Sequence, residues 1–178
     1  MYNWAYVDKP QNVNSFEFIN SLSKKLPEAV RVVTDMGTSF TCTHQVLHLK
    51  RSQKLYTSSG LASMGFGLPG AIGSAQSADD MVVLITGDGG LMFNLQELEV
   101  LSNVGSNLRI IVLNNDGYLT MKHMQKARFN LLVGSNPSTG ITMPNFYDVA
   151  NAFRLEYKLC TESVEIQQSL TWLLSKDG

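Results

Sequence analysis

The sequence predicts an α/β fold, a three-layer sandwich built on a mainly parallel sheet. Three observations carry that expectation. Strand-like and helix-like segments alternate along the chain. Two apolar runs, Met81–Thr86 and Arg109–Leu113, read as buried strands. Small and polar residues cluster where the runs stop, at Asp35-Met36-Gly37, at Gly87-Asp88-Gly89-Gly90 and at Asn114-Asn115-Asp116-Gly117.

The elements follow in order. Residues 1–13 read as an extended arm or linker, and 14–178 as the domain. Asn14 or Ser15 is placed to cap a helix whose Phe16, Ile19, Leu22 and Leu26 recur on one face, and Pro27 ends it. Arg31–Thr34 is a short strand, 39–48 a helix and Lys54–Thr57 a second short strand. Small residues dominate from Gly65 to Ala78, which predicts a closely packed helix with Pro69 in its first turn. After strand Met81–Thr86, a helix is expected over Asn94–Val104, then strand Arg109–Leu113 and a helix over 118–129. Residues 130–143 are a loop rich in Gly, Ser and Pro. Asn145–Phe153 is a short helix, Leu155–Leu159 a strand and Ser163–Leu174 a final helix. In such an architecture a further strand follows that helix, so the final strand is expected to be missing and the chain to be a fragment of a longer multidomain one.

Bulk properties narrow the function classes. The chain has 178 residues, enough for one domain with a good core. A net charge of −1 gives no electrostatic case for nucleic acid. No apolar run approaches the roughly 18–20 residues of a membrane span. MYNWAYVDKP lacks the basic and apolar regions of a secretory signal. Cys42 and Cys160 match no metal or redox spacing and read as buried free thiols of a cytoplasmic protein.

The chemistry concentrates at strand ends, where ligands of parallel sheets bind. One end carries Gly87-Asp88-Gly89-Gly90. The other carries Asn114-Asn115-Asp116-Gly117, with 24 residues between Gly89 and Asn114. That interval fits one helical crossover, so the two ends are expected to be neighbours. Asp88 and Asn115 then converge as hard oxygen ligands, with a backbone carbonyl near Gly117 as a third. Magnesium favours such oxygen sets and shares them with phosphate. Gly89 and Gly90 leave N–H groups for a phosphate, and the helix that follows favours an anion. The local reading is a Mg²⁺-bridged diphosphate site. A turn that merely links strand to helix is the plain alternative for the Gly-Asp-Gly-Gly stretch alone. Asn-Asn at the next strand end argues against it. Gly37, Thr38 and Ser39, at a third strand end, are placed to reach a second phosphate.

Two competing motifs are weaker. Gly65-Phe66-Gly67-Leu68-Pro69-Gly70 spells a dinucleotide fingerprint, with Asp88 18 residues beyond Gly70. Its first glycine, however, lies about eight residues past the preceding strand rather than directly after it. His44 and His48 in HQVLH have Gln45 where a zinc protease has glutamate, and no third ligand is apparent.

The segments VVTDMGTSF, YTSSGLASMGFGLPGAIGSA, LITGDGGLMFNLQELEVL, IIVLNNDGYLTMKHMQ and MPNFYDVANAF together span nearly the whole chain. This set resembles the C-terminal thiamine-diphosphate-binding domain of the acetolactate (acetohydroxyacid) synthase-like family. The resemblance implies the thiamine-diphosphate-binding fold, with thiamine diphosphate and Mg²⁺ as cofactors. It implies metal ligation by Asp88, Asn115 and the Gly117 carbonyl. Gly87, Gly89, Gly90, Tyr118 and Leu119 would line the diphosphate, with Gly37, Thr38 and Ser39 opposite. Met64 matches the bulky residue under the bent cofactor, and the Ala62 carbonyl would accept from the pyrimidine amino group. Met121, His123, Met124 and Gln125 would face substrate. The reaction implied is decarboxylation of a 2-keto acid and ligation of the product to a second carbonyl.

The family's activating glutamate belongs to a separate N-terminal pyrimidine-type domain, usually the other subunit's. This chain holds no catalytic residue of that kind and is expected to be inactive alone, working as part of a homo-oligomer. The window YLTMKHMQKARF lacks the substrate-facing Trp of acetohydroxyacid synthases proper, which leaves acetolactate itself open as product. The other readings are a free-standing cofactor subunit of a two-subunit 2-keto acid decarboxylase of the sulfopyruvate type, and a non-catalytic nucleotide-binding or regulatory module.

Overall fold

The computed structural model describes residues 13–77, 79–101 and 107–175. Among the described residues, four strands form one all-parallel sheet: β1 (Val30–Thr34), β2 (Lys54–Tyr56), β3 (Met81–Gly87) and β4 (Leu108–Leu113). Their spatial order is β2-β1-β3-β4. The described helices are α1 (Ser15–Lys25), α2 (Thr38–Val46), α3 (Gly67–Gln76), α4 (Asp88–Met92), α5 (Leu119–Phe129), α6 (Phe146–Ala152) and α7 (Ile166–Leu173).

Strand alternation sorts the core into two layers. Val83 and Ile85 of β3 face one side, where Ile19 and Leu22 of α1, Cys42 of α2 and Leu170 of α7 pack on them. Val82 and Leu84 face the other side, against Leu68 and Ala71 of α3. Small residues in α3 let that helix lie close to the sheet. Removing most of a fully buried side chain such as Leu22 would cost about 2–5 kcal/mol. α1 starts where the sequence indicates: the Asn14 side chain accepts from the Phe16 and Glu17 N–H groups at 2.9 and 3.3 Å.

The strand order creates a switch point. The chain steps outward from β1 to β2, then returns past β1 to β3, so α2 and α3 cover opposite faces. The carboxyl ends of β1 and β3 therefore flank a crevice, the usual ligand position in open parallel sheets.

The structure departs from the sequence reading at several places. Leu155–Leu159, expected as a strand, joins no ladder. A cavity of about 2090 Å³ lined by these residues and by β4 keeps the two apart. The helix expected over Asn94–Val104 begins earlier, as α4 directly after β3, and gives way to a 3₁₀ turn over Leu95–Val100. Asn94 cannot continue α4, because its side chain donates to the Gly65 carbonyl at 2.7 Å and fixes the bend. The end of that expected helix, most of the arm and residues 176–178 lie outside the described residues. Cys160 is half-buried rather than buried, whereas Cys42 is buried against the Ser15 hydroxyl. His44 binds the Phe40 carbonyl through Nδ1. No helix among the described residues is long and apolar enough to cross a membrane.

Candidate functional site

The site is assembled at the carboxyl ends of β1, β3 and β4. Asp88, the first residue after β3, is 1% exposed. Its Oδ1 accepts from the Gly89 N–H at 2.9 Å. Its Oδ2 accepts from the Gly117 N–H at 2.8 Å and the Asn115 N–H at 3.3 Å. The turn after β4 is thus wrapped around one carboxylate oxygen. Burial pushes the Asp88 carboxyl above its usual range, and the three backbone donors pull it back.

On the residue whose N–H reaches Asp88, the Asn115 Oδ1 is buried and has no hydrogen-bond partner among the described residues. A buried acceptor without a donor is costly in a native fold. A cation completes such an atom as well as a donor does. The donor set is therefore two hard oxygens, one anionic and one neutral, at neighbouring strand ends. Gly117 has φ +140°, and a Cβ there would run into the Ser135 carbonyl, so only glycine lets the turn close this tightly.

Three residues distant in sequence meet at Gly89. A Cβ on Gly89 would lie 2.6 Å from Tyr118 Cδ1 and 3.6 Å from Met64 Cε. The backbone there is buried against an aromatic ring and a thioether, and its N–H is already given to Asp88, so the Gly89 N–H expected for a phosphate is not free. Met64 is 37% exposed, on the turn-rich segment that holds Ala62 at φ +54°. Across the crevice Gly37 begins α2 with φ +79°, and a Cβ on it would come within 3.4 Å of the Thr120 hydroxyl at the start of α5. The amino ends of α2 and α5 therefore lie close together.

The remaining expected residues divide. Thr38, Leu119, His123 and Met124 line the cavity that reaches this crevice. Ser39 is buried and its hydroxyl is already committed to the Met36 carbonyl at 3.0 Å. Gln125 holds Val133 at both backbone groups, at 3.0 and 3.1 Å, and so orders the loop after α5. Met121 is 39% exposed on α5, a helix with no buried side chain. Gly87 is half-buried at the end of β3. Gly90 is turned toward the Asp35 carboxyl group.

Asp35 is the residue that sequence reasoning passed over. It is fully buried after β1 and accepts from the N–H groups of Met36, Gly65 and Gly67 at 2.7, 3.0 and 3.0 Å. It thereby ties the loop before α3 to the end of β1. The same Gly65-x-Gly67 pair that imitates a dinucleotide fingerprint is used to grip a carboxylate of the protein itself. The available signal was a lone acid at the end of an apolar strand, read only for its neighbours Gly37, Thr38 and Ser39.

A family model described as "Thiamine pyrophosphate enzyme, C-terminal TPP binding domain" matches residues 35–178. The chain belongs to that family. This domain is similar to the acetolactate synthase isozyme 2 large subunit of Escherichia coli K12, at 30% identity over 178 residues, covering 99% of the chain and 32% of the relative. It is 33% identical over 167 residues to the isozyme 1 large subunit of the same organism, covering 93% of the chain and 29% of the relative. The acetolactate synthase large subunit of Cyanidium caldarium is 30% identical over 164 residues, covering 91% and 27%. The thiamine-pyrophosphate-binding domain thus spans about a third of the length of the curated relatives it matches.

Proposed function

We propose that the domain holds thiamine diphosphate through Mg²⁺, as the cofactor half of an acetolactate synthase-like enzyme. Such an enzyme decarboxylates a 2-keto acid and ligates the product to a second carbonyl. The observation that carries the proposal is the pairing of the buried Asp88 carboxylate with the unpartnered Asn115 Oδ1 at adjacent strand ends. The family supports the cofactor, and the donor chemistry supports a hard divalent cation.

In this reading Asp88, Asn115 and the Gly117 carbonyl ligate the metal. Gly87, Gly89, Gly90, Tyr118 and Leu119 line the diphosphate, with Gly37, Thr38 and Ser39 opposite. Met64 supports the ring system from below and the Ala62 carbonyl accepts from the pyrimidine amino group. When bound, thiamine diphosphate supplies the electron sink for breaking the bond to the 2-keto acid carboxylate. The chain's own residues bind and orient. Gly89, having no side chain, lets the Tyr118 ring and Met64 pack close beside Asp88 and keep water from that flank. Met121, His123 and Met124 of α5 face substrate, while Gln125 positions the loop behind them. The activating glutamate comes from an N-terminal pyrimidine-type domain, usually the partner subunit's, in a cytoplasmic homo-oligomer.

Calorimetry on the domain joined to its native upstream region tests the reading. Thiamine diphosphate should bind with Mg²⁺ and lose at least tenfold in affinity without it, about 1.4 kcal/mol. Binding that is indifferent to Mg²⁺, or unchanged in Asp88→Ala, would sink the assignment. The 178-residue chain alone should show no pyruvate decarboxylation, and measured turnover would overturn the placement of the activating acid.

A further inference from the structure

One short stretch of chain, from Gly89 through α4 to Asn94, meets the loop before α3 at three places. A Cβ on Gly89 would stand 3.6 Å from Met64 Cε. A Cβ on Gly90 would stand 3.0 Å from Asp35 Oδ1, which itself accepts from the Gly65 N–H at 3.0 Å. Asn94 Nδ2 donates to the Gly65 carbonyl at 2.7 Å. The stretch that begins beside Asp88 is therefore tied, at its far end, to the loop that carries Ala62 and Met64.

Gly65 is where that loop enters the protein. Residues 59–64 are exposed, Leu61 at 89%, and Gly65 is buried. The Ala62 N–H donates to the Ser58 carbonyl at 2.7 Å, a local turn that curls the exposed loop on itself without fixing it to the sheet. Gly65, in contrast, is held at both backbone groups, its N–H by Asp35 and its carbonyl by Asn94. Its φ is +86°, and a Cβ on it would stand 2.7 Å from Phe93 Cβ and 2.9 Å from Asn94 Nδ2, so the clasp closes on glycine alone. Met64 is the next residue back along the chain, one Cα step of about 3.8 Å from the clasped point.

The two holders differ in what else they do. Asp35 is fully buried and also binds Met36 and Gly67, so its loss reaches beyond this loop. Asn94 is half-buried at the bend where α4 gives way to the 3₁₀ turn. We propose that Asn94 is a positioning residue, a role that rests on the cofactor reading above. By holding the Gly65 carbonyl it fixes how far Met64 and the Ala62 carbonyl stand from Asp88. It thereby matches the support for the ring end of thiamine diphosphate to the support for its diphosphate end. A ligand gripped at two ends binds tightly when both grips are set beforehand, because ordering one of them on binding lowers the affinity. Asn94 acts through Gly65, whereas Asp88 is braced by the N–H groups of Gly89, Asn115 and Gly117. Loss of the Asn94 donor should therefore loosen the ring end and leave the diphosphate end as it is.

Calorimetry on the full natural protein and its Asn94→Ala variant, in Mg²⁺, tests this with two probes, thiamine diphosphate and inorganic pyrophosphate. Affinity for thiamine diphosphate should fall at least about tenfold, and affinity for pyrophosphate should stay within about threefold. Unchanged thiamine diphosphate binding in the variant would overturn the proposal and leave the cofactor reading standing. Parallel losses for both probes would overturn it too, since they would mark general damage to the site. So would pyrophosphate that fails to bind the natural protein, because the two ends would then not be held separately. A natural protein that takes up no thiamine diphosphate in Mg²⁺ would instead remove the cofactor reading itself. Hydrogen exchange read by mass spectrometry needs no variant: in the ligand-free natural protein, amides of residues 65–67 should exchange at least about tenfold more slowly than those of 59–61. Equal rates would show that nothing clasps Gly65.

Discussion

Gly90 lies directly against the Asp35 carboxyl group, so closely that a Cβ on Gly90 would stand 2.9 Å from Asp35 Cγ. Two consecutive glycines of the Gly-Asp-Gly-Gly stretch thus serve different neighbours. Gly89 faces the Tyr118 ring and Met64, whereas Gly90 faces a buried carboxylate held by three backbone donors. Alanine in a helix is worth about 1 kcal/mol over glycine. At Gly89 the opposing ring sits on a partly exposed side chain that can swing aside, so Gly89→Ala should change unfolding stability by less than about 1 kcal/mol. At Gly90 the opposing atoms cannot yield, and overpacking should give Gly90→Ala a net loss of about 1–3 kcal/mol. Urea denaturation of both variants checks this. Equal losses would show that Asp35 is not the fixed wall described here.

The Asn115 Oδ1 invites a second comparison. It has no hydrogen-bond partner among the described residues, so removing it breaks no bond to them. Asn115→Ala should alter unfolding stability by less than about 1 kcal/mol. The same change should weaken Mg²⁺-dependent thiamine diphosphate binding at least tenfold, about 1.4 kcal/mol. A residue that costs nothing to lose in the empty chain but much in the loaded one is a ligand. A residue that costs stability and leaves binding intact is a packing element. Parallel denaturation and calorimetry separate the two.

Asp35 should behave in the opposite manner. Its two oxygens serve three backbone donors in a fully buried place. Asp35→Asn keeps the shape but replaces one acceptor by an NH₂ group facing an N–H. One buried donor is then unsatisfied, at a cost of about 3 kcal/mol. A stability loss below about 1 kcal/mol in chemical denaturation would contradict that role.

The sheet was legible because its strands are buried runs and its turns are marked by glycine, aspartate and asparagine. Val82–Ile85 reads as core by composition and is core in space. The interval from Gly89 to Asn114 made the two strand ends neighbours, and the backbone of Asn115 and Gly117 does reach Asp88. What failed was tertiary. Asn94 reads as the start of a helix in sequence, yet the carbonyl it binds belongs to Gly65, 29 residues away. Leu155–Leu159 has a strand's composition, but a strand forms only with a partner alongside, and composition does not report the partner. Asp35 was read for its neighbours because the three N–H groups that it accepts, from Met36, Gly65 and Gly67, leave no mark in a sequence pattern.

Glu165 supplies a pH-dependent test away from the site. Its Oε2 accepts from the backbone N–H groups of Thr161 and Glu162 at 2.7 and 3.1 Å, just before α7. Those donors, Thr161 first, hold its carboxyl below the usual range. A carboxyl depressed in the folded state stabilises the fold fully above its unfolded value of about 4.3. That contribution is lost as pH falls through the folded value. Glu165→Gln keeps an acceptor oxygen but no charge. The melting temperature of the natural sequence should therefore exceed that of Glu165→Gln by a constant margin above about pH 6, and the margin should close as the pH is lowered below about 4. A margin that stays the same from neutral to acid pH would mean that the charge on Glu165 does not hold the start of α7.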